Sequence, residues 1–317
     1  MVKELLLSIK PRHILVVGDL CIDRYTFGSV NRISPEAPVP VLHASREEHR
    51  PGMAGNAILN LLSLGQRVSA LGRIASDYAG RTLTDALLAE NVGLHGLLTQ
   101  EGYQTPIKNR FIASNQQILR VDTESTEPLP GHLEHEIIST LPALLEGVDA
   151  VAISDYGKGF LTPTLLAALI QHARQRNIPT IVDPKGRAFA RYALATVIKP
   201  NLQEAIDASN LSPCTPLPLI AATLLQQTGA DHLMITRSEK GISLFSGDTH
   251  HYLPAEEREV RDVTGAGDTV LAVTTAAVAN QIPIIQGAHL ANLAASIAIQ
   301  RFGCARISLQ DLATLAG

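Results

Sequence analysis

Short, wholly apolar runs alternate along most of this chain with longer stretches in which apolar residues recur at helical spacing. The first run, His13-Ile-Leu-Val-Val-Gly18, has no polar interior position, which predicts a strand buried on both faces. Val68–Arg73, Val148–Ser154, Ile178–Val182 and His232–Thr236 read the same way, and Val197-Ile-Lys-Pro-Asn201 is a strand end leading into a short helix from Leu202. Gly241–Phe245 and His250–Leu253 are two further strands. Between the strands, Ala57–Leu64 (closed by Gly65), Asp77–Glu90 (capped by Ser76 or Asp77), Thr162–Arg176 and Pro216–Thr228 have the period of amphipathic helices. Alternation of this kind predicts an α/β fold, a mostly parallel sheet between two helical layers.

Two segments break the rhythm. Ile107–Ala113 and Gln117–Val121, joined through 114–116, predict a hairpin, and Val39–Arg46 predicts an extended edge strand because Pro40 lies within it. Together these segments, roughly 39–46 and 105–122, are expected to form a small sheet inserted as a lid in a single domain spanning 1–317. The second break is Thr269–Gln300, which contains no Asp, Glu, Lys or Arg. It is interrupted by Thr274, Thr275, Asn280, Gln281, Pro283, Gln286 and Gly287, so two small-residue helices buried in a core explain it better than a membrane span.

Composition narrows the chemistry. With 45% apolar and 18% charged residues a large core is expected. A net charge of −4 speaks against a nucleic-acid binder, so an anionic ligand would have to be met by a few placed cations. The three cysteines lie far apart without zinc spacing and read as free thiols of a reducing compartment. Met1–Lys10 lacks the pattern of a secretory leader, and a cytoplasmic protein is expected.

The strongest candidate chemistry lies in Arg261-Asp-Val-Thr-Gly-Ala-Gly-Asp268, which opens a long apolar helix. Unpaired amides of Gly265, Ala266 and Gly267 at a helix start can cradle an anion, and Asp268 at its edge can accept a hydroxyl proton. Phosphoryl transfer to an alcohol needs both. A capped glycine turn, with Asp262, Thr264 or Asp268 as the cap, reads equally well from this segment alone. Pro51-Gly-Met-Ala-Gly-Asn56 is a second glycine loop before a helix. Asp19 and Asp23, beyond the first strand, can grip sugar hydroxyls or cap turns. Lys108, Arg110 and Arg120 alternate along the lid and share one face if its strands are regular, where they can hold a phosphate or simply protect an edge. Polar groups also mark the later strand ends: Asp155, Asp183, Lys185, Asn201 with Glu204, and Thr236 to Gly241. Asn201 and Glu204, three apart at a helix start, can hold the water shell of Mg²⁺ or cap the helix. No P-loop, no dinucleotide glycine fingerprint and no protein-kinase catalytic loop is found.

Taken in order, these segments resemble the ribokinase-like (PfkB-type) sugar kinases over nearly the whole chain. Asp262-Val-Thr-Gly-Ala-Gly-Asp268 resembles that family's second signature, Pro51–Asn56 its sugar-binding glycine signature, and Asn201-x-x-Glu204 its magnesium motif. Thr236-x-Ser-x-x-Gly241 resembles its nucleotide loop, with Ser238 where glycine is usual, and Asn292 falls on the late helix that lines its adenine pocket. Gly18-Asp-x-x-x-Asp23-Arg-Tyr, Arg32–Pro40, Asn115–Asp122, Ser154–Gly159 and Asp183-Pro-Lys185 narrow the resemblance to D-glycero-β-D-manno-heptose 7-phosphate kinases. Those enzymes transfer a phosphate from ATP to the C1 oxygen on the ADP-heptose route to lipopolysaccharide core.

The resemblance implies a ribokinase-like α/β/α fold, with Asp268 as base and the Gly265, Ala266 and Gly267 amides on the transferring phosphate. It implies a sugar held by Asp19, Asp23, Gly52, Met53, Asn56, Asp155 and Lys185. The sugar's own phosphate would be met by Lys108, Arg110, Asn115 and Arg120. ATP would lie over Asn201, Glu204, Thr236, Ser238, Gly241 and Asn292, with Mg²⁺ near Asn201 and Glu204 through water. It further implies a stand-alone kinase, a homodimer through the lid and no nucleic-acid or membrane partner. A monovalent cation such as K⁺ behind the glycine loop stays open. Met53 departs from the usual second glycine of the sugar signature, which leaves open a kinase for another sugar or a catalytically silent sugar-binding protein.

Overall fold

The computed structural model describes residues 2–114, 116–256 and 258–315, so Asn115 lies outside the described residues. The strands are β1 His13–Gly18, β2 Leu20–Ile33, β3 Pro40–Met53, β4 Arg67–Ile74, β5 Gly93–Thr99, β6 Ile107–Ala113, β7 Gln116–Thr123, β8 Ala150–Ser154, β9 Thr180–Asp183, β10 Val197–Ile198, β11 His232–Thr236, β12 Ile242–Ser246 and β13 Thr249–Leu253. The helices are α1 Val2–Ser8, α2 Ala54–Ser63, α3 Tyr78–Ala89, α4 Gly131–Leu144, α5 Pro163–Gln175, α6 Leu202–Ser209, α7 Leu217–Thr228, α8 Ala266–Ala279, α9 Ile284–Ala298 and α10 Leu309–Leu315.

Nine strands form the main sheet in the order β13-β12-β11-β10-β9-β8-β1-β4-β5, parallel except for the β11-β12-β13 meander. Its two faces feed two separate cores. In β1, Ile14 and Val16 join one core with α2, α8 and α9, while Leu15 and Val17 join the other with α4, α5 and α7. That alternation within an unbroken apolar run is why the run is buried on both sides, and it makes the domain a three-layer α/β/α structure. The apolar Thr269–Gln300 segment is indeed two helices, α8 and α9, turning at Asn280–Pro283. No described helix is long and apolar enough to cross a membrane.

After β1 the chain moves outward to β4 and β5, then returns to β8 on the other side of β1 and continues outward to β11. The order therefore reverses between β1 and β8, and the crevice beyond the carboxyl ends of such neighbours is where α/β sheets bind ligands. Close packing at this point requires a glycine: a side chain on Gly18 would collide with the Ser154 carbonyl at 2.1 Å. Asp19 and Asp155 immediately follow the two strands.

A second sheet, ordered β3-β2-β6-β7, covers this end. The expected hairpin of β6 and β7 is present, but the lid is built differently from the expectation. β2, a strand not foreseen from its mixed polar sequence, lies at the centre, pairs with β3 along its length and runs parallel to β6. β3 extends to Met53, so Pro51–Met53 end a strand and Ala54–Asn56 are the first turn of α2. The second glycine loop is thus a direct strand-to-helix junction. β5 and α4 were likewise not expected, α4 having Pro130 at its N-cap and Pro142 in its last turn.

Candidate active site

Asp268 lies in the first turn of α8 and is 4% exposed. The helix opens at Gly265, whose φ of 79° is in the left-handed region, so glycine itself provides the turn and no side chain caps it. The expectation that Asp262, Thr264 or Asp268 caps the helix is corrected: Asp262 instead accepts from the Thr264 N–H and hydroxyl and from the Gly303 N–H, tying the loop to the 303 segment. Among the described residues no acceptor meets the N–H of Gly267 or Asp268. These are open helix-terminal donors beside a carboxylate.

Both Asp268 oxygens have partners. The Asn56 amide donates to Oδ2 at 2.8 Å and the Tyr156 hydroxyl donates to Oδ1 at 2.9 Å. Burial pushes the Asp268 carboxyl up to about 7; the Asn56 and Tyr156 hydrogen bonds and Lys199 oppose this, and the Asp183 charge adds to it. A carboxyl poised near neutral pH can exchange a proton with a hydroxyl under ordinary conditions. Asp19 accepts from the backbone N–H groups of Tyr156 and Lys158, each at 3.0 Å, so it clamps the loop that carries Tyr156. Burial raises the Asp19 carboxyl above its usual range, and those amides partly offset this. Asp155 is fully engaged with Gly157 N–H and the Tyr192 hydroxyl.

A cavity of about 830 Å³ opens beside Tyr156 and Gly267. Its lining includes Asp155, Tyr156, Lys185, Lys199, Asn201, Glu204, Thr236, Ser238, Gly241, Gly267 and Asn292. At its mouth Gly241 has φ 75°, and a side chain there would strike the Leu253 carbonyl at 2.1 Å. Ser238 also has positive φ, 51°, at the position where the resemblance expects glycine. Asn292 donates to the Pro254 carbonyl. Asn201 and Glu204 form a reciprocal capping box on α6, and Lys185 adds an ion pair to Glu204 at 3.0 Å. Their oxygen donors suit Mg²⁺, and since each is already bonded they fit an ion held through its water rather than directly. Among the described residues no group of three His, Cys, Asp or Glu could hold a metal on its own.

Between the lid and the 261–264 and 302–303 segments lies a separate polar cavity of about 520 Å³ lined by Tyr25, Arg110, Gln116, Gln117, Arg261 and Thr264 among others, and Asp268 itself lines neither cavity. The Tyr25 hydroxyl is buried and has no partner among the described residues. Register pairs Arg110 with Arg120 and Lys108 with Asp122, so the three lid cations do share a face. They are not a free cluster, however. Arg110 is buried and ion-paired with Asp23, Lys108 meets Asp122 and Glu124, and Arg120 meets Asp122. Lys108 and Arg120 line neither cavity, and neither does Met53, which is buried at φ 55°. Gly52 is constrained by Asp23: a side chain there would lie 2.4 Å from the Asp23 carboxylate.

The structure thus brings Asp19, Asn56, Asp155 and Asp268 together around Tyr156, with Asn201, Glu204, Thr236, Ser238, Gly241 and Asn292 in one cavity. It adds residues that the sequence did not single out. Lys199, 2% exposed, pairs with Asp183 at 2.9 Å next to Gly267. A lone Lys at the end of an apolar strand was the available signal. Tyr156, Arg261 and Tyr25 lie inside motifs already marked in the sequence, but none was assigned a role there, because only the fold brings their side chains to the site.

Residues 11–311 match the model of the pfkB family carbohydrate kinases. The chain is 44% identical over 316 residues to the bifunctional protein HldE of Trichlorobacter lovleyi, covering 98% of this chain and 64% of that protein. With the bifunctional protein HldE of Geobacter sulfurreducens it shares 44% identity over 301 residues, covering 94% and 61%. It therefore spans somewhat under two thirds of the length of these relatives. Among solved structures, phosphofructokinase-2 from Escherichia coli in complex with potassium superposes with a TM-score of 0.78 at 19% identity, covering 96% of this chain and 98% of that one. Ribokinase from Arabidopsis thaliana complexed with ribose and ATP gives 0.73 at 17% identity, covering 96% and 99%.

The fold is ribokinase-like. The chain belongs to the pfkB family of carbohydrate kinases.

Proposed function

We propose that this chain acts as one kinase unit over 1–317 and transfers the γ-phosphoryl group of ATP to the C1 hydroxyl of D-glycero-D-manno-heptose 7-phosphate. The observation that carries the reading is Asp268, a buried carboxyl poised near pH 7 whose hydrogen-bond partner Tyr156 lines a nucleotide-sized cavity and whose loop, through Asp262 and Thr264, lines a second, cation-bearing one. The heptose motifs around Asp19, Asp23 and Asp155 support the choice of sugar.

In this reading ATP occupies the larger cavity over Thr236, Ser238, Gly241 and Asn292. Asn201 and Glu204 hold the water shell of Mg²⁺, which supplies charge neutralisation to the phosphates. The sugar lies under the lid, with Asp19, Asp23, Gly52 and Asn56 at its hydroxyls. Its existing phosphate lies in the second cavity, where Arg110 is joined by Arg261 rather than by Lys108 and Arg120. Asp268 takes the C1 hydroxyl proton as the new O–P bond forms and the γ-phosphorus separates from ADP. The Gly267 and Asp268 amides and Lys199 stabilise the charge on the transferring group. Two copies pair through the outer face of the lid.

A coupled assay of ADP release against a panel of sugars and sugar phosphates, with K⁺ and Na⁺ compared, tests the reading. Turnover with heptose 7-phosphate at least tenfold more efficient than with any other member is the expected result. Turnover only with an unphosphorylated sugar would overturn the substrate and keep the kinase. No turnover across the panel would favour a silent sugar-binding protein.

A further inference from the structure

Tyr156 belongs to none of the roles assigned so far, yet its hydroxyl is one of two donors on the central carboxyl, 2.9 Å from Asp268 Oδ1. The side chain does not reach that point by chance packing. Its backbone N–H donates to Asp19 Oδ2, and the Lys158 N–H donates to the same oxygen. Gly157, at φ 66°, lets the chain turn between those two amides. The Lys158 carbonyl is held in turn by the buried guanidinium of Arg73. The loop after β8 is therefore fixed at both ends, and the phenol projects from it onto Asp268.

We propose that Tyr156 is a positioning residue for phosphoryl transfer: its hydroxyl fixes the rotation of the Asp268 carboxylate and strengthens the ionised form that accepts the substrate proton. The proposal rests on the reading of Asp268 as the base. A carboxylate has about four acceptor sites, so one bond from Asn56 and one from Tyr156 leave lone pairs for a sugar hydroxyl. With one donor on each oxygen the carboxylate cannot rotate freely, and the free lone pairs keep a constant direction. A hydrogen bond donated to the ionised form favours that form. Burial and the nearby Asp268 charge raise the Tyr156 phenol well above its usual range, so it stays a donor throughout the working pH range.

The groups that face Asp268 from the surrounding elements are Asn56 from α2, Asp183 from the end of β9, Lys199 from beyond β10, Cys304 from the 302–304 turn and Tyr156 itself. Asn56 and Lys199 favour the ionised carboxylate and Asp183 opposes it. Tyr156 is the titratable group among them that touches the carboxyl directly, through a donor too weakly acidic to share its charge.

The test uses the full chain. The ¹³C carboxyl resonance of Asp268, assigned with Asp268→Asn, is followed against pH in the wild type and in Tyr156→Phe, and the pH profile of kcat/KM is recorded for both. Loss of the donor is expected to move the Asp268 titration up by about one pH unit. The acid limb of kcat/KM should move with it, giving roughly tenfold lower rate below the limb and a plateau within a few fold of wild type. Replacing Tyr156 with 3-fluorotyrosine, a stronger donor of nearly the same shape, should move both quantities the other way. An unshifted resonance in both variants, or an equal loss of rate at every pH, would overturn the proposal. The carboxyl titration is read on the protein without substrate. If no sugar phosphate is turned over, the functional reading fails while the resonance still decides whether Tyr156 governs Asp268.

Discussion

Asp268 illustrates how a site residue works against the fold that holds it. Its carboxyl is held up at about 7 by burial, against an ordinary 3.8. Below 3.8 the folded and unfolded chains both keep the proton. As pH rises the unfolded chain releases its proton first, so this group's contribution to stability falls and is lost once pH passes about 7. Asp268→Asn should therefore raise Tm more at pH 8 than at pH 4, while kcat falls about 10²–10⁴-fold and ATP binding by calorimetry is retained. A variant equally stabilised at both pH values would contradict the burial account. Met53 carries strain of a different kind. At φ 55°, ψ −126° it occupies a region that glycine tolerates and branched side chains do not, yet its side chain is buried. It lines neither cavity, so what it brings to the β3–α2 junction is a strained backbone torsion. Met53→Leu should stay within ~1.5 kcal/mol of wild type. Met53→Ile, similar in volume but β-branched, should be at least ~1 kcal/mol less stable than Met53→Leu. Urea midpoints of the pair measure this, and equal midpoints would remove the strain.

At the scale of single elements, α8 opens on a helix end with a glycine in its first turn and amides unbonded among the described residues. Gly267 in its first turn weakens the helix by about 1 kcal/mol relative to alanine. A methyl there would make only ordinary contacts, 3.7 Å from Asp183 Oδ2 and 3.8 Å from Lys199 Nζ, but it would stand among the open amides. Gly267→Ala is therefore expected to raise Tm by a few degrees and to lower kcat/KM for ATP tenfold or more. A gain in stability without loss of activity would mean that the amides are not used. The start of α8 was legible in the sequence because glycines set between aspartates at the head of an apolar run mark a helix start with open amides. So were β1 and β8, whose apolar content settles their burial locally. β2 was not: Asp23, Arg24 and Thr26 break its pattern, and they are accommodated only because β3, β6 and the 302–304 turn supply partners. The same limit hides Tyr156 and Lys199. Each is placed by contacts with segments more than a hundred residues away or by a neighbouring strand, and no local spacing reports such contacts.

Across the whole molecule, the lid contributes walls to the second cavity and not only a cover. β2 leaves the main domain at Leu20 and, within five residues, carries Asp23 to its pair with Arg110 and Tyr25 to the second cavity. Side chains alternate across this sheet, so the face bearing Asp23, Tyr25 and Arg110 turns toward the site. Leu119 and Val121 lie on the other face, 55% and 45% exposed. β7, which carries them, is an edge strand, and an apolar edge left open invites pairing with another chain. The proposed homodimer through the lid rests on that exposure. Replacing both residues, Leu119→Asp with Val121→Asp, should halve the mass found by sedimentation equilibrium without lowering Tm by more than a few degrees, since neither side chain packs in the core. Because the face that would be freed backs the strands holding Asp23 and Arg110, KM for the sugar phosphate should rise severalfold while KM for ATP changes little. A wild-type monomer, or a variant that keeps the dimer mass, would assign the exposed face to something other than a second copy. A monomeric variant with both KM values unchanged would show that the lid holds its shape alone.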